Sequence, residues 1–420
     1  MTTAILFLVF ITLVGAPLFT VLAAGGILAS FASDLSPDIL VVEMNRLAAS
    51  PNMLSLPLFI LAGVIMANGA AAERLVRFFK ATFGWLPAGL GIVSIGACAF
   101  FTAFSGASGV TILALGGLLY PMLIKEGYRH RYTAGLLTTS GSLGLLFPPS
   151  LAIIIFSIVA GISIEDMFLA GIIPGVLLLI LLTLYSFYDC RHFGLPKHTF
   201  SINEITASIK ACAWDLLMPI VILTGIFGGY VSVTEAAAFT AAYVLFIETV
   251  IYKEMTLKNN LFDLLVECSI LFGSLLIILV IALGLTNLLI DAQLPMQLLE
   301  FMQEHVDSKL QFLLLLNAFL LIVGAMMDIF SAIIVVVPLL LPLALQYGIH
   351  PAHLGVIFLA NLEIGYSTPP VGINLFIASQ RFNEPVLALF RACLPFLFVM
   401  IIWLLIITYI PELSLWWMDE

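Results

Sequence analysis

Polar positions along this chain are sparse and clustered, and long apolar runs fill the space between them. Runs such as "LLLILLTLY", "LLIILVIALGLTNLLI" and "FLFVMIIWLLIITYI" belong to segments long enough to span hydrocarbon. Lys and Arg gather in short stretches: Arg74, Arg77 and Lys80; Lys125, Arg129 and Arg131; Arg191 and Lys197; Lys253 and Lys258; Arg381 and Arg391. The stretches between them are acidic, "SIEDM" at 163–167 and "DAQLPMQLLEFMQEHVD" at 291–307. Basic loops stay on the cytoplasmic side, so the acidic ones face out. Arg46 and Lys309 alone fall on the outer side of this scheme.

That alternation predicts two unusual segments. Residues 81–124 are apolar with basic flanks on both sides, and residues 310–346 are apolar with external flanks on both sides. Each must enter and leave the membrane on one side, either as two full spans or as a re-entrant hairpin. The first breaks at "FSGASG" (104–109) and the second at "GAMMDIFS" (324–331). Small and polar residues at that depth suit hairpin tips buried against protein.

Hairpins entering from opposite sides predict an inverted repeat. A shift of 221 positions pairs Pro121 with Pro342, Pro148 with Pro369, Pro149 with Pro370 and Pro174 with Pro395. It also pairs Gly127 with Gly348, Gly144 with Gly365 and Gly63 with Gly284. Chance at one fixed offset would match roughly half a proline pair. The expected fold is therefore an all-α polytopic membrane protein of two inverted-topology repeats, 1–200 and 201–420. The first holds a hairpin at about 85–125 and a Pro-Pro-broken helix at about 131–162. The second holds a hairpin at about 310–347 and a broken helix at about 352–380, and a closing helix is expected to start near Pro174 or Pro395. Residues 4–32 are short for two spans, at about 1.5 Å of rise per residue.

Composition agrees: 62% of the 420 residues are apolar and only 10% charged, with a mean hydropathy of +1.18. A soluble domain is about half apolar and about a quarter charged. No hydrophilic stretch is long enough for a soluble domain, and the N-terminus lacks the basic flank and A-x-A-like site of a signal peptide. The net charge of −10 is scattered over loops and does not argue for nucleic acid. The five cysteines show no paired spacing and read as small buried hydrophobes.

The candidate chemistry lies at the breaks. A proline removes its own N–H and frees the carbonyl four residues back. Pro148 and Pro149 thus free Gly144 and Leu145, and Pro369 and Pro370 free Gly365 and Tyr366. In hydrocarbon an orphan carbonyl costs several kcal/mol, and a desolvated cation such as sodium satisfies it well. "FSGASG" adds the Ser105 and Ser108 hydroxyls and open backbone at Gly106. The half-helix behind it turns a positive end inward, a seat for a carboxylate. Gly106, Ser108, Ser142 and Ser331 are the candidate substrate residues. Asp328 is an ionisable residue at membrane depth, and Glu363 reads equally as a site residue or a packing acid.

The stretches "FSGASGVT", "TTSGSLGLLFPPS", "VTEAAAFTAAY" and "IGYSTPPVGIN" together resemble the large membrane subunit of the tripartite ATP-independent periplasmic (TRAP) transporters, over essentially the whole chain. The resemblance implies a sodium-coupled, elevator-type secondary transporter in the bacterial inner membrane. It implies two partners, a small four-helix membrane subunit and a periplasmic solute-binding protein. It implies organic-acid substrates such as C4-dicarboxylates, sialic acid and other sugar acids. By position, its sodium ligands would be Ser105, Gly144, Phe147 and Pro149, then Asp328, Gly365, Thr368 and Pro370. The scaffold would be about 4–80 and 214–290, the remainder being the moving transport domain. Two departures stand out: Ser232-Val233 replaces the usual Thr-Pro before Thr-Glu-Ala-Ala-Ala, and Ala107 stands where a serine is common. Glu235 is expected to cap or anchor its helix.

Two rivals remain. "GASG" at 106–109 fits the G-x-S-G of rhomboid-type serine proteases, but the six histidines fall in or beside loops and no H-E-x-x-H exists. No base for Ser108 is on offer, so an enzyme is not expected. The alternative is a self-sufficient sodium/divalent-anion symporter that needs no binding protein.

Overall fold

The computed structural model describes residues 17–32, 51–191, 200–255, 261–291 and 308–418, together with Ser36, Asp38, Val42, Asn45, Leu195, Gln293 and Val306. The expectations for residues 4–16, for Arg46 and for most of the acidic stretch 291–307 lie outside these. Every described element is helical. Among the described residues, eight helices are long and apolar enough to cross a membrane, or nine if the bent pair Ser55–Asn68 and Ala71–Phe83 counts as one.

In chain order, α1 is Leu18–Ala32, α2 Ser55–Asn68 and α3 Ala71–Phe83. Next, α4 (Gly89–Ser105) and α5 (Ser108–Lys125) form the first hairpin, joined by Gly106 and Ala107. Gly106 has φ +66, the left-handed conformation that ends α4. The first broken helix is α6 (His130–Ser140) and α7 (Leu151–Ala160), and α8 (Ile164–Cys190) closes that half. Then come α9 (Ile202–Phe227), α10 (Val233–Ile251) and α11 (Leu261–Asp291). The second hairpin is α12 (Lys309–Met326) and α13 (Ile329–Gln346). The second broken helix is α14 (Pro351–Gly365) and α15 (Ile373–Phe382), and α16 (Val386–Tyr409) closes the chain.

One expectation needs correcting. The closing helices do not start near Pro174 and Pro395; both prolines lie inside α8 and α16. The helices begin earlier, directly after the turns at 161–163 and 383–385. In α8, Ser163 caps the start by accepting from Asp166 N, and that cap sets the boundary. Trp403 of α16 donates its Nε1–H to the Pro174 carbonyl at 2.8 Å, tying the two closing helices together.

The halves interlock. The first hairpin rests on α15, with Gly109 of α5 beside Ile377 and Gly116 beside Phe382. In return α7 packs along α13 of the second hairpin. Asn374 donates from Nδ2 to the Thr138 carbonyl at 3.4 Å across this seam. Asn361, which precedes the second break, binds Asn317 Oδ1 at 2.7 Å and so fastens α14 to α12. All five cysteines are buried and free.

Outside that assembly, α3, α9 and α10 are tied together by a largely enclosed arginine, and α2 packs against α10. Arg74 pairs with Asp215 at 2.7 Å, Glu248 at 2.8 Å and Glu254 at 2.5 Å, and its guanidinium lies 3.7 Å from the Tyr252 ring centroid. At the start of α10, Ser232 and Glu235 form a reciprocal capping box. The departure from Thr-Pro therefore keeps a hydroxyl cap and loses only a proline at the first helical position, where its missing N–H matters least. Glu235 caps, as expected.

Candidate functional site

Each hairpin tip lies against a Pro-Pro break. On the first side, a side chain at Gly144 would collide with Ala103 N and Ala99 O of α4. On the second, a side chain at Gly365 would collide with Gly324 and Ala325 at the end of α12. Both glycines are needed for backbone-to-backbone contact, and the contacting pairs, 144 with 103 and 365 with 324, are related by the same 221-residue shift. Both Pro-Pro bonds are cis.

The breaks free less than proline chemistry alone predicts. Tight turns recover part of what is lost: Phe147 N donates to Gly144 O at 3.0 Å, and Thr368 N to Gly365 O at 2.9 Å. Tyr366 O receives Asn374 N at 3.0 Å. Among the described residues only Leu145 O of the four lacks a donor. A carbonyl has two lone pairs, so each of the others can accept a second contact.

At the first tip a chain of hydroxyls bridges hairpin and break. Thr102 Oγ1 sits 2.7 Å from Thr111 Oγ1 and donates toward Gly141 O at 2.9 Å; Ser105 Oγ is 3.4 Å from Thr111 Oγ1. Thr102 and Thr111 escaped the sequence reading, although Thr111 ends the quoted "FSGASGVT". Helix α5 begins with no side-chain cap, since its cap position is Ala107. The N–H groups of Ser108, Gly109 and Val110 have no acceptor among the described residues. The positive end of an 18-residue helix is thus left open.

At the second tip the equivalent position is Asp328. Its Oδ2 accepts from Phe330 N at 3.0 Å and Ser331 N at 3.1 Å, closing the start of α13. Tyr366, from the break, accepts at its hydroxyl from Ile329 N. The loop beyond the prolines turns back as well: Val371 N and Gly372 N both donate to Ala325 O, at 3.0 and 3.1 Å. Asp328 Oδ1 makes no hydrogen bond among the described residues.

A cavity of about 430 Å³ opens beside the first tip. Ser105, Ala107, Val110 and Leu151 form one wall; Gly63, Val64 and Asn68 of α2 and Glu267 and Leu271 of α11 form the other. Phe330 of the second tip completes it. None of Gly106, Ser108, Ser142 and Ser331 lines it. Gly106 and Ser108 are chain neighbours of the lining residues Ser105 and Ala107, Ser142 is buried with its hydroxyl on Thr139 O at 3.3 Å, and Ser331 lies in the first turn of α13. Among the sodium candidates, Ser105 reaches the cavity, Thr368 Oγ1 bonds Ile364 O at 3.0 Å, and Phe147 lays its ring on Gly175. Pro149 and Pro370 offer only their carbonyls. Glu363 is fully buried, and neither carboxyl oxygen has a partner among the described residues. Asn68 and Glu267 were not foreseen, because nothing in sequence places α2 and α11 opposite residues 105–110.

Paired helical hairpins set against broken helices, around a cavity between two groups of helices, define a multi-pass membrane transporter. A solved transporter from Alcanivorax borkumensis, YdaH, shares the fold, with a TM-score of 0.64 at 14% identity over 90% of this chain and 88% of that one. The family model described as "Tripartite ATP-independent periplasmic transporter, DctM component" matches residues 4–413. The chain belongs to that family. It is 35% identical to the C4-dicarboxylate TRAP transporter large permease protein of Vibrio cholerae, over 99% of this chain and 97% of the relative. It is also 35% identical to the corresponding Pseudomonas aeruginosa protein, over 90% of both. Other relatives are named for isethionate, sialic acid and 2,3-diketo-L-gulonate. These relatives are transporter permeases and not enzymes.

Proposed function

We propose that the chain is the large subunit of a binding-protein-dependent system that carries an organic acid across the bacterial inner membrane, driven by sodium. A small four-helix membrane subunit and a periplasmic solute-binding protein complete it. The observation that carries this reading is the uncapped start of α5 at the wall of the cavity. Three free N–H groups at a helix start form a seat for one carboxylate, and the substrates named for the relatives are all acids. Sodium is assigned to the two breaks, where Gly144, Phe147, Pro149 and Ser105 on one side, and Gly365, Thr368, Pro370 and Asp328 on the other, supply oxygen atoms.

Matched glycine contacts 221 residues apart support two inverted repeats, with both hairpins re-entrant. The interlocked hairpins and broken helices form the moving body of an elevator. The helices held around Arg74 belong to the scaffold, about 4–80 and 214–290, where the small residues of "VTEAAA" allow close approach of helices.

The test is uptake in proteoliposomes containing this chain and the small subunit. A panel of C4-dicarboxylates, sialic acid and sugar acids is offered with and without binding protein across a sodium series. Uptake of one acid that needs both sodium and binding protein is expected. Uptake that ignores sodium overturns the ion assignment, and uptake without any binding protein favours a self-sufficient symporter.

A further inference from the structure

We infer that the basic end of α6 and α16 is a binding site for an anionic phospholipid headgroup of the phosphatidylglycerol type. The two helices start side by side, and Arg131 Nη2 donates to the Arg391 carbonyl at 3.0 Å. A cavity of about 310 Å³ opens there, lined by His130, Arg131, Glu384 and Arg391 together with small apolar positions. Neither arginine has a carboxylate within ion-pair distance among the described residues. Two guanidinium groups converging on one opening match a phosphodiester, because the planar fork of arginine fits phosphate oxygens in pairs.

What lies along the helix selects a lipid over a free anion. Arg391 is on the same face of α16 as Leu387, Leu394, Phe398, Ile402 and Leu405, four residues before it and then three, seven, eleven and fourteen after it. These five are exposed at 59%, 44%, 67%, 42% and 40%. The stripe is a bed for an acyl chain, and it leads directly to the arginine. By the positive-inside rule this end is cytoplasmic, which places Arg391 at headgroup level where basic pockets between helices capture anionic lipids. Glu384 sets the headgroup type. Two arginines against one glutamate leave the opening with one excess positive charge, suited to a singly charged phosphodiester. The hydroxyls of a glycerol headgroup can donate to the Glu384 carboxylate. The inference rests on the membrane orientation alone and is independent of the ion and substrate assignments.

The experiment titrates the purified full-length chain in detergent with phosphatidylglycerol, phosphatidylcholine or inorganic phosphate, reading the thermal midpoint. Each variant is referenced to its own lipid-free midpoint. Phosphatidylglycerol is expected to raise the wild-type midpoint saturably, while phosphatidylcholine and inorganic phosphate do not. The Arg131→Gln/Arg391→Gln pair should weaken the phosphatidylglycerol response roughly thirtyfold, since each basic group near a membrane surface is worth about one kcal/mol. Glu384→Gln should tighten it severalfold, by removing the opposing charge. Should the double variant fail to fold, Glu384→Gln decides alone, and an unchanged or weakened response there overturns the assignment. It is equally overturned if the double variant keeps the wild-type titration, if phosphatidylcholine stabilises as well, or if inorganic phosphate alone reproduces the shift.

Discussion

The two hairpin tips occupy equivalent positions and do opposite things with the start of a helix. Ala107 leaves three N–H groups of α5 open, whereas Asp328, 221 positions later, covers the start of α13 with its own carboxylate. The breaks differ in the same sense. The first is buried, and the second leaves Pro369 and Pro370 exposed, with the loop beyond them bonded to Ala325. On the proposed reading, this one difference at positions 221 apart separates a place for an anion from a place for a cation. A helix start with no acid beside it attracts negative charge. A helix start already covered by aspartate has its N–H groups taken, and the second carboxylate oxygen is not used in that cap.

The sharpest way to break this comparison is to make the tips alike. Ala107→Asp supplies the first tip with the cap of the second, so the protein should fold as well or be about 1 kcal/mol more stable. Uptake should fall by at least about a hundredfold, because a bound carboxylate loses its charge-assisted hydrogen bonds and meets a like charge. Uptake assays beside thermal melts check both halves of that expectation. Wild-type uptake in Ala107→Asp removes the anion seat from the first tip.

Next in size come the glycines that let each tip touch its break. Gly144→Ala and Gly365→Ala both place a methyl group into backbone, which cannot swing aside, at a cost of about 1–3 kcal/mol. Both variants should melt earlier and transport poorly. If only one does, the two tips are not seated in the same way.

Asp328 separates its two roles by substitution. Asparagine still accepts from the N–H groups of α13, so Asp328→Asn should leave stability within about 0.5 kcal/mol. It should raise the sodium concentration for half-maximal uptake about tenfold, about 1.4 kcal/mol of lost attraction. Asp328→Ala should add a capping loss of about 1–2 kcal/mol. An unchanged sodium curve in Asp328→Asn would confine the aspartate to capping. The smallest effect belongs to Tyr366→Phe. It strips Ile329 N of its acceptor for about 1 kcal/mol, and a severalfold weaker sodium response is expected with it.

Much of this arrangement was legible in the chain because glycine and proline mark it. The 221-residue pairing located both breaks, and "FSGASG" and "GAMMDIFS" located both tips. The capping by Asp328 was legible too, since an aspartate directly before an apolar helix is a preferred N-cap. The carbonyl inventory was not legible, because donors such as Asn374 N reach back across a turn whose path proline alone does not dictate. Nor was the Arg74 anchor, whose acids lie 141, 174 and 180 residues away. The cavity was hidden for the same reason. Its second wall comes from α2 and α11, and apolar periodicity cannot say which helices face each other.

The account rests on where the acid's carboxylate sits. The direct measurement is a structure of the full transporter in sodium, saturated with the acid that the uptake panel identifies. The account predicts a carboxylate oxygen within hydrogen-bond reach, about 3 Å, of the N–H groups of Ser108 and Gly109, with no part of the acid's charge at Asp328. A carboxylate at the second tip, or an empty first tip beside a bound substrate, would contradict it.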